Sequence, residues 1–197
     1  MFSEFMAYAH VALSLAVAAV EHMLPELGES VQGFPAFNLA WATMAIGVAS
    51  LLVAGVFQSF SDFVMRGLVL AEPMGGAQSM QMINRTVMRS VFIVLLLGLA
   101  PMMLSFGLLT YSVLEEGARF WVLAGTGVYI ASVFFVTMLG NVPMNNRLDR
   151  MVPSEPSTAR YWDHYGRVWT RWNHLRTIGS LVAGLCFLFA ALELAGQ

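Results

Sequence analysis

The segment 161–177 holds the densest set of side chains in the chain that could act on a ligand. Read as a helix, it places aromatic residues at spacings of three and four along one stripe that ends in an arginine: Trp162, Tyr165, Trp169, Trp172 and Arg176. A basic stripe runs beside it: His164, Arg167, Arg171 and His174. Imidazole can exchange protons near neutral pH, and guanidinium can bind anions. Because His174 and Arg176 stand where an apolar stretch begins, where ionisable groups are costly unless they have partners, they are functional candidates. The alternative is an amphipathic helix with an aromatic belt at the membrane interface.

Two further polar clusters precede this segment. Asn141 and Asn145 lie one helical turn apart, and Pro143 between them predicts a kink or a local stop. These residues either contribute to a site or simply end a helix at the headgroups. Asp62 and Arg66 are four residues apart, so they share a helix face and can pair. The favoured interpretation of that pair is a surface ion pair at the end of a span, and a functional role is the alternative.

The composition indicates which elements must position these clusters. Of the 197 residues, 58% are apolar and 11% are charged, and all ten basic residues are arginines. A soluble domain is about 45–50% apolar and about 25% charged, so a water-soluble monomer is excluded. A single cysteine excludes a disulfide scaffold, and a net charge of -2 excludes a nucleic-acid binder of the usual basic kind.

Stretches without charge are long enough to cross a bilayer, which takes about 20 helical residues. They predict an all-α integral membrane four-helix bundle over 36–197, with spans at 36–58, 90–113, 120–142 and 175–194. Helices are expected because backbone polar groups in lipid must be satisfied within each segment. Small residues within the spans predict close helix packing: Ala45, Ala49, Gly125, Gly127, Ser180 and Gly184.

Residues 1–35 form a separate N-terminal unit, an apolar helix followed by a turn. The apolar run 5–20 has the length of a signal-peptide core, but Glu4 precedes it and no Arg or Lys does. A cleaved signal is therefore not expected. The run is either a short fifth span or a helix on the membrane surface, and the surface helix is favoured.

The arginines predict the orientation. Nine of the ten lie in segments 59–89 and 143–174 or at Arg176, whereas Arg119 stands alone in the acidic segments. The positive-inside rule therefore places 59–89 and 143–174 in the cytoplasm.

Taken together, the clusters resemble the anthrone oxygenase-like family of small integral membrane proteins. The resemblance covers roughly residues 40–194, and its more specific motifs lie at 141–148 and 162–176. The resemblance rests on the following residues: Phe60, Phe63, Val64, Met65, Arg66, Met82, Ile83, Asn84, Arg85, Thr86, Asn141, Val142, Pro143, Asn145, Asn146, Leu148, Trp162, Trp169, Trp172, Asn173, His174 and Arg176. The family implies a four-helix membrane bundle, and its bacterial members imply the inner membrane of a bacterium.

The resemblance also implies a chemistry, since fungal relatives are associated with oxidising anthrones by O2 without an evident metal or organic cofactor. Proton loss from the anthrone methylene gives an oxyanion that can pass an electron to O2. On this hypothesis the catalytic residues are His174 as base, with Arg176 and Asn141 stabilising the oxyanion. The expected substrate-binding residues are Asn145, Asn173, Trp169, Trp172, Arg66 and Asn84. The expected partners are the bilayer and a hydrophobic aromatic small molecule.

Other functions stay open from the sequence. A copper or haem protein is conceivable from fourteen methionines and four histidines, although no metal-ligand motif is present and methionine is commonly an apolar filler. A non-catalytic accessory subunit of a larger membrane complex is supported by the N-terminal extension, and a homo-oligomer is a further possibility. A transporter is disfavoured because no inverted repeat is evident.

Overall fold

A computed structural model describes residues 36–196, together with Ala7, Val11, Ser14 and Ala18. The predicted N-terminal helix and turn otherwise lie outside the described residues. Within 36–196 the chain is helical and contains no strand. The α-helices are α1 (Ala36–Ser59), α2 (Met65–Leu70), α3 (Pro73–Val87), α4 (Val91–Thr110), α5 (Glu116–Tyr129), α6 (Val142–Asp149) and α7 (Pro156–Ala195).

Three π-helical turns join some of these helices. One turn, Phe60–Val64, connects α1 to α2, and two turns, Ile130–Phe134 and Thr137–Asn141, lie between α5 and α6. The described residues therefore contain four helices long and apolar enough to cross a membrane: Asn38–Leu70, Val91–Thr110, Glu116–Asp149 and Pro156–Ala195. The predicted all-α membrane bundle is confirmed.

The helices extend beyond the predicted spans. Pro143 does not end the helix Glu116–Asp149. It occupies the first turn of α6, directly after a π-helical turn, where no backbone donor is needed. Likewise α7 begins at Pro156 and carries both the aromatic stripe and the last span in one helix of 40 residues. The connection 59–89 is also largely helical, since it holds α2 and α3.

The bundle is closest-packed where α1 crosses α7. A Cβ placed on Gly47 would lie 3.0 Å from the carbonyl oxygen of Gly184, so only glycine allows the two backbones to come this near. Beside the crossing, Ser50 Oγ donates a hydrogen bond of 2.8 Å to the Ser180 carbonyl. The predicted packing role of Ser180 and Gly184 is thereby confirmed.

The other small residues divide between contacts and open positions. A Cβ on Gly125 would lie 2.9 Å from the Phe187 ring of α7, so this glycine also allows a close approach. Ala49 packs against the core, but Ala45 is exposed and Gly127 has open space beside it. The close-packing prediction is therefore wrong for Ala45 and Gly127, which lie on outer faces of their helices.

The two arginine-containing connections meet at one end of the bundle, here called the arginine-rich end. Arg85 Nε of α3 donates a hydrogen bond of 2.8 Å to Asp149 Oδ1 of α6. Gln81 Nε2 donates to the carbonyls of Leu148 and Met151 at 2.8 and 2.9 Å. The chain is thus an integral membrane protein with both connections at the same end. That this end faces the cytoplasm stays a prediction.

Candidate functional site

A partly enclosed cavity of about 190 Å³ lies at the arginine-rich end. Most of its wall is apolar or aromatic: Val56, Phe57, Phe60, Met80, Ile83, Val87, Met88, Phe92, Ile93, Leu96, Val142 and Trp169. Its polar side chains are Asn84, Asn141, Asn145, Asn173, Thr137 and Arg176. A concave, mostly apolar site with a few converging polar groups is typical of a small-molecule site.

Arg176 places a guanidinium in this apolar wall, with the residue only 5% exposed. Its Nη2 donates a hydrogen bond of 2.6 Å to Asn173 Oδ1, and its Nη1 donates to Thr137 Oγ1 at 3.4 Å. The guanidinium carbon lies 4.2 Å from the ring centre of Phe57 and 5.3 Å from that of Trp169. No carboxylate among residues 36–196 pairs with it. The charge is therefore held by an amide, a hydroxyl and two aromatic faces, and it can attract an anionic group.

Asn173 anchors Arg176 to helix α1. Its Nδ2 donates hydrogen bonds to the Phe57 carbonyl at 2.7 Å and to Ser61 Oγ at 2.8 Å. Ser61 belongs to the π-helical turn Phe60–Val64. Asn173 Oδ1 accepts a hydrogen bond from Arg176, so both polar ends of the Asn173 amide have protein partners. Asn173 therefore positions the guanidinium of Arg176.

Asn141 and Asn145 also line the cavity, but they differ in whether their amide oxygens have hydrogen-bond partners. Asn145 Oδ1 accepts hydrogen bonds from the Tyr165 hydroxyl at 2.7 Å and from Trp169 Nε1 at 2.8 Å. Asn141 Nδ2 donates to the Trp169 carbonyl at 3.2 Å, whereas its Oδ1 has no partner. These bonds fix the indole of Trp169 as one wall of the cavity, while the amide oxygen of Asn141 is buried without a partner.

Three buried polar atoms of cavity residues have no hydrogen-bond partner: Asn84 Nδ2, Asn141 Oδ1 and Arg176 Nε. A buried polar group without a partner costs about 1–3 kcal/mol, so such atoms are uncommon in folded proteins. Each of the three exposes less than 1 Å² of surface, so these atoms lie behind the surface of the cavity and not on it. The Nε1 of Trp162 is also unpartnered, but that residue does not line the cavity.

Six of the residues predicted for the site line this cavity: Asn84, Asn141, Asn145, Trp169, Asn173 and Arg176. His174, to which the base role was assigned, is exposed and does not line it. Successive residues of a helix point about 100° apart. Asn173 and Arg176 therefore share the inner face of α7, while His174 points away from them. Its position gives the base assignment no support.

Trp172 and Arg66 also lie outside the cavity. Trp172 is 41% exposed, and its indole covers Gly140, where an added Cβ would come within 2.9 Å of the ring. Arg66 is exposed on α2 and forms no ion pair in the described part of the chain. The predicted pairing of Asp62 with Arg66 is accordingly not found.

Thr137, Phe57 and Phe60 belong to the cavity but were not among the predicted site residues. The spacing of Thr137 from Asn141 was a usable signal, because residues four apart can face the same side of a helix. Phe57 and Phe60 carried no such signal, since an aromatic residue at the end of a span is common.

No group of three or more His, Cys, Asp or Glu side chains among the described residues is arranged to hold a metal ion. The comparison with known families gives a match to a family described as anthrone oxygenase, over residues 79–186. This match covers more than half of the chain and includes α7 as far as Cys186. No curated protein and no solved structure has significant similarity to the chain.

Proposed function

Because the chain belongs to the anthrone oxygenase family, we propose that it is a membrane oxygenase that oxidises a planar phenolic or other small apolar substrate in this cavity. The proposal includes O2 as oxidant and no resident metal or organic cofactor. The observation that carries it is the guanidinium of Arg176, which lies in an apolar cavity with one unpartnered nitrogen.

The reaction proposed converts a benzylic methylene into a ketone. The methylene, which is conjugated with a ring carbonyl, loses a proton and leaves its charge on the carbonyl oxygen as an oxyanion. This anion passes one electron to O2, and the resulting carbon radical and superoxide combine as a carbon-bound peroxide. Loss of water from the protonated peroxide leaves the ketone, so that R2CH2 and O2 give R2CO and H2O. One oxygen atom of the product ketone therefore comes from O2.

The contribution of the protein is stabilisation of the oxyanion. A fixed cation in a low-dielectric site favours the negatively charged form far more than it would in water. The cation that lines the cavity is the guanidinium of Arg176. None of the described residues that line the cavity is a carboxylate or imidazole, so in this proposal the proton passes to water at the cavity opening.

Substrate is proposed to enter from the bilayer. Val56 lines the cavity and is 38% exposed, so the proposed entrance lies beside this side chain. An apolar substrate dissolved in the membrane could pass this position without crossing water.

The test uses the full chain in lipid nanodiscs with 18O2 and a panel of ring ketones whose methylene is conjugated with the carbonyl, with anthrone as the three-ring member. The expected result is a ketone that contains one 18O atom for each O2 consumed, with nanodiscs lacking protein as the blank. Oxygen uptake without label in the product, or no uptake with any member, contradicts the proposal.

A further inference from the structure

We infer that a groove at the arginine-rich end binds the phosphate of an anionic membrane lipid. The groove shares no lining residue with the cavity described above, and it is lined by Pro143, Asn146, Arg147, Arg150 and Met151. It lies where the third spanning helix, Glu116–Asp149, ends. Two guanidiniums and one amide bring hydrogen-bond donors to it, and guanidinium matches phosphate in charge and geometry. The inference does not depend on the proposed function.

The positive charges of this groove are not neutralised by a neighbouring carboxylate. Neither Arg147 nor Arg150 forms an ion pair within the described part of the chain. The carboxylate between them in sequence, Asp149, accepts a hydrogen bond of 2.8 Å from Arg85 of α3. Residues three apart on a helix are neighbours, and like charges at such positions repel. An anion bound between Arg147 and Arg150 would relieve that repulsion.

Tyr161 of α7 holds Arg147 in place. The guanidinium carbon of Arg147 lies 4.2 Å from the centre of the Tyr161 ring, a distance at which the ring face attracts a cation. Tyr161 is buried, and its hydroxyl donates a hydrogen bond of 3.4 Å to the Met144 carbonyl. The ring is therefore fixed between α6 and α7. Because Arg147 rests on this ring, it loses less side-chain freedom on binding an anion than an unsupported surface arginine would.

The position of the groove along the span indicates the bilayer as the source of the phosphate. Arg147 lies five residues beyond the predicted span 120–142, or about 7.5 Å along a helix. The headgroup layer adds about 5–7 Å on each side of the hydrocarbon, so the two arginines stand near the depth of the lipid phosphates. Pro143 and Met151 give the groove apolar sides, and Leu139, before Pro143 on the same helix, is 77% exposed. A lipid can use this apolar surface, whereas a free phosphate cannot.

The experiment counts the lipids bound to the full chain in mild-detergent micelles by native mass spectrometry. The probes are dioctanoyl phosphatidylglycerol, which is anionic, dioctanoyl phosphatidylcholine, which carries no net charge, and glycerol phosphate, which has no acyl chain. One phosphatidylglycerol per chain is expected to bind about 25-fold more tightly than phosphatidylcholine, with about fivefold from each arginine. Glycerol phosphate is expected to bind at least about tenfold more weakly than phosphatidylglycerol, because it buries no apolar chain.

Matched double variants locate the site. Arg147→Gln with Arg150→Gln should reduce the preference for phosphatidylglycerol to less than about threefold. Arg66→Gln with Arg171→Gln removes the same charge from exposed positions outside the groove and should keep the full preference. If the first double variant does not fold, cross-linking on the unmodified chain tests the same point, since phosphatidylglycerol with a photoreactive headgroup should label the segment 143–151.

Three results would overturn the inference. Equal binding of the two lipids excludes recognition of an anionic headgroup. Binding of glycerol phosphate as tightly as phosphatidylglycerol makes the groove a site for soluble phosphates. An equal loss of preference in both double variants, or cross-links outside the segment 143–151, shows attraction to the overall charge of this end and not to the groove.

Discussion

Between residues 169 and 177, the inner and outer faces of α7 carry similar side chains but have different surroundings, since the inner face lines the cavity and the outer face is exposed. On the inner face, Trp169, Asn173 and Arg176 line a cavity and bond to neighbouring helices. On the outer face, Trp172 and His174 are exposed. The difference shows that residue type alone does not identify the site, because the rotation of about 100° per residue decides which side chain reaches the cavity.

The largest difference in turnover is expected between variants of two arginines that lie on different faces of α7, Arg176 and Arg171. Arg176→Met is expected to reduce oxygenase turnover about 100-fold or more, since loss of one oxyanion-stabilising donor commonly costs 100- to 1,000-fold. Arg171→Met, at an exposed position, should leave turnover unchanged. Oxygen uptake in nanodiscs measures both.

Unfolding of the same two variants distinguishes function from structural support. Arg176→Met removes the desolvation cost of a buried charge, several kcal/mol for each ion, which exceeds the roughly 1–3 kcal/mol lost when Asn173 Oδ1 is left without its donor. We therefore expect Arg176→Met to keep or raise the midpoint of thermal unfolding. A large drop in that midpoint, with turnover lost only in proportion to folded protein, would make Arg176 a structural residue.

Asn173 and His174 give the next comparison. Asn173→Ala removes one hydrogen bond to α1, one to the π-helical turn after it and one accepted from Arg176, so it should lower the free energy of unfolding by about 2 kcal/mol. His174→Ala should change it by less than about 0.5 kcal/mol. Denaturant titration in mild detergent measures both values.

Turnover of the histidine variant tests the base assignment directly. Because His174 does not line the cavity, His174→Ala should retain turnover across neutral pH. Loss of turnover with binding intact would restore His174 as the base and would require a route from its exposed ring to the substrate.

The two tryptophans should differ by a smaller factor. Trp169→Leu removes a cavity wall and the hydrogen bond to Asn145, so affinity for an aromatic ligand should fall about tenfold, as for loss of an aromatic stacking contact. Trp172→Leu removes a ring from outside the cavity and should leave affinity unchanged. Dialysis with 1-naphthol measures this difference, and equal losses in both variants would contradict the cavity assignment.

The smallest effect is expected at an ion pair on the outer face. Arg167 Nη1 lies 2.5 Å from Asp163 Oδ2, but both side chains are more than half exposed. Asp163→Asn should therefore change the free energy of unfolding by about 0.5 kcal/mol or less. A cost comparable with that of Asn173→Ala would show that the outer face supports the bundle as strongly as the inner one.

Much of the fold could be predicted because the bilayer constrains it. Apolar stretches of spanning length permit little other than helices, and the clustering of arginines anticipated the meeting of Arg85 with Asp149 at one end. Helix ends were harder, since nothing in the pattern distinguishes a helix that stops at the headgroups from one that continues beyond them, as α7 does.

The site was only partly predictable for a geometric reason. Asn141, Asn173 and Arg176 stood out as polar residues beside hydrocarbon, and all three line the cavity. The choice between Asn173 and His174 required the rotation of α7 relative to α1. The closest approach of the two helices is at Gly47 and Gly184, and because Gly47 lies on a different helix, the pattern within α7 does not give this rotation.

The π-helical turns make the site sensitive to chain length. A π-helical turn holds one residue more than an α-helical turn, so removing one residue from Phe60–Val64 would let the helix continue as regular α-helix. Five residues of π-helix turn through nearly the same angle as four residues of α-helix, so the residues after the deletion would keep their orientation relative to α1. The change would fall on the turn itself, which supplies Phe60 to the cavity wall and Ser61 to the Asn173 amide. A deletion of one residue here would therefore preserve the bundle and alter this side of the cavity.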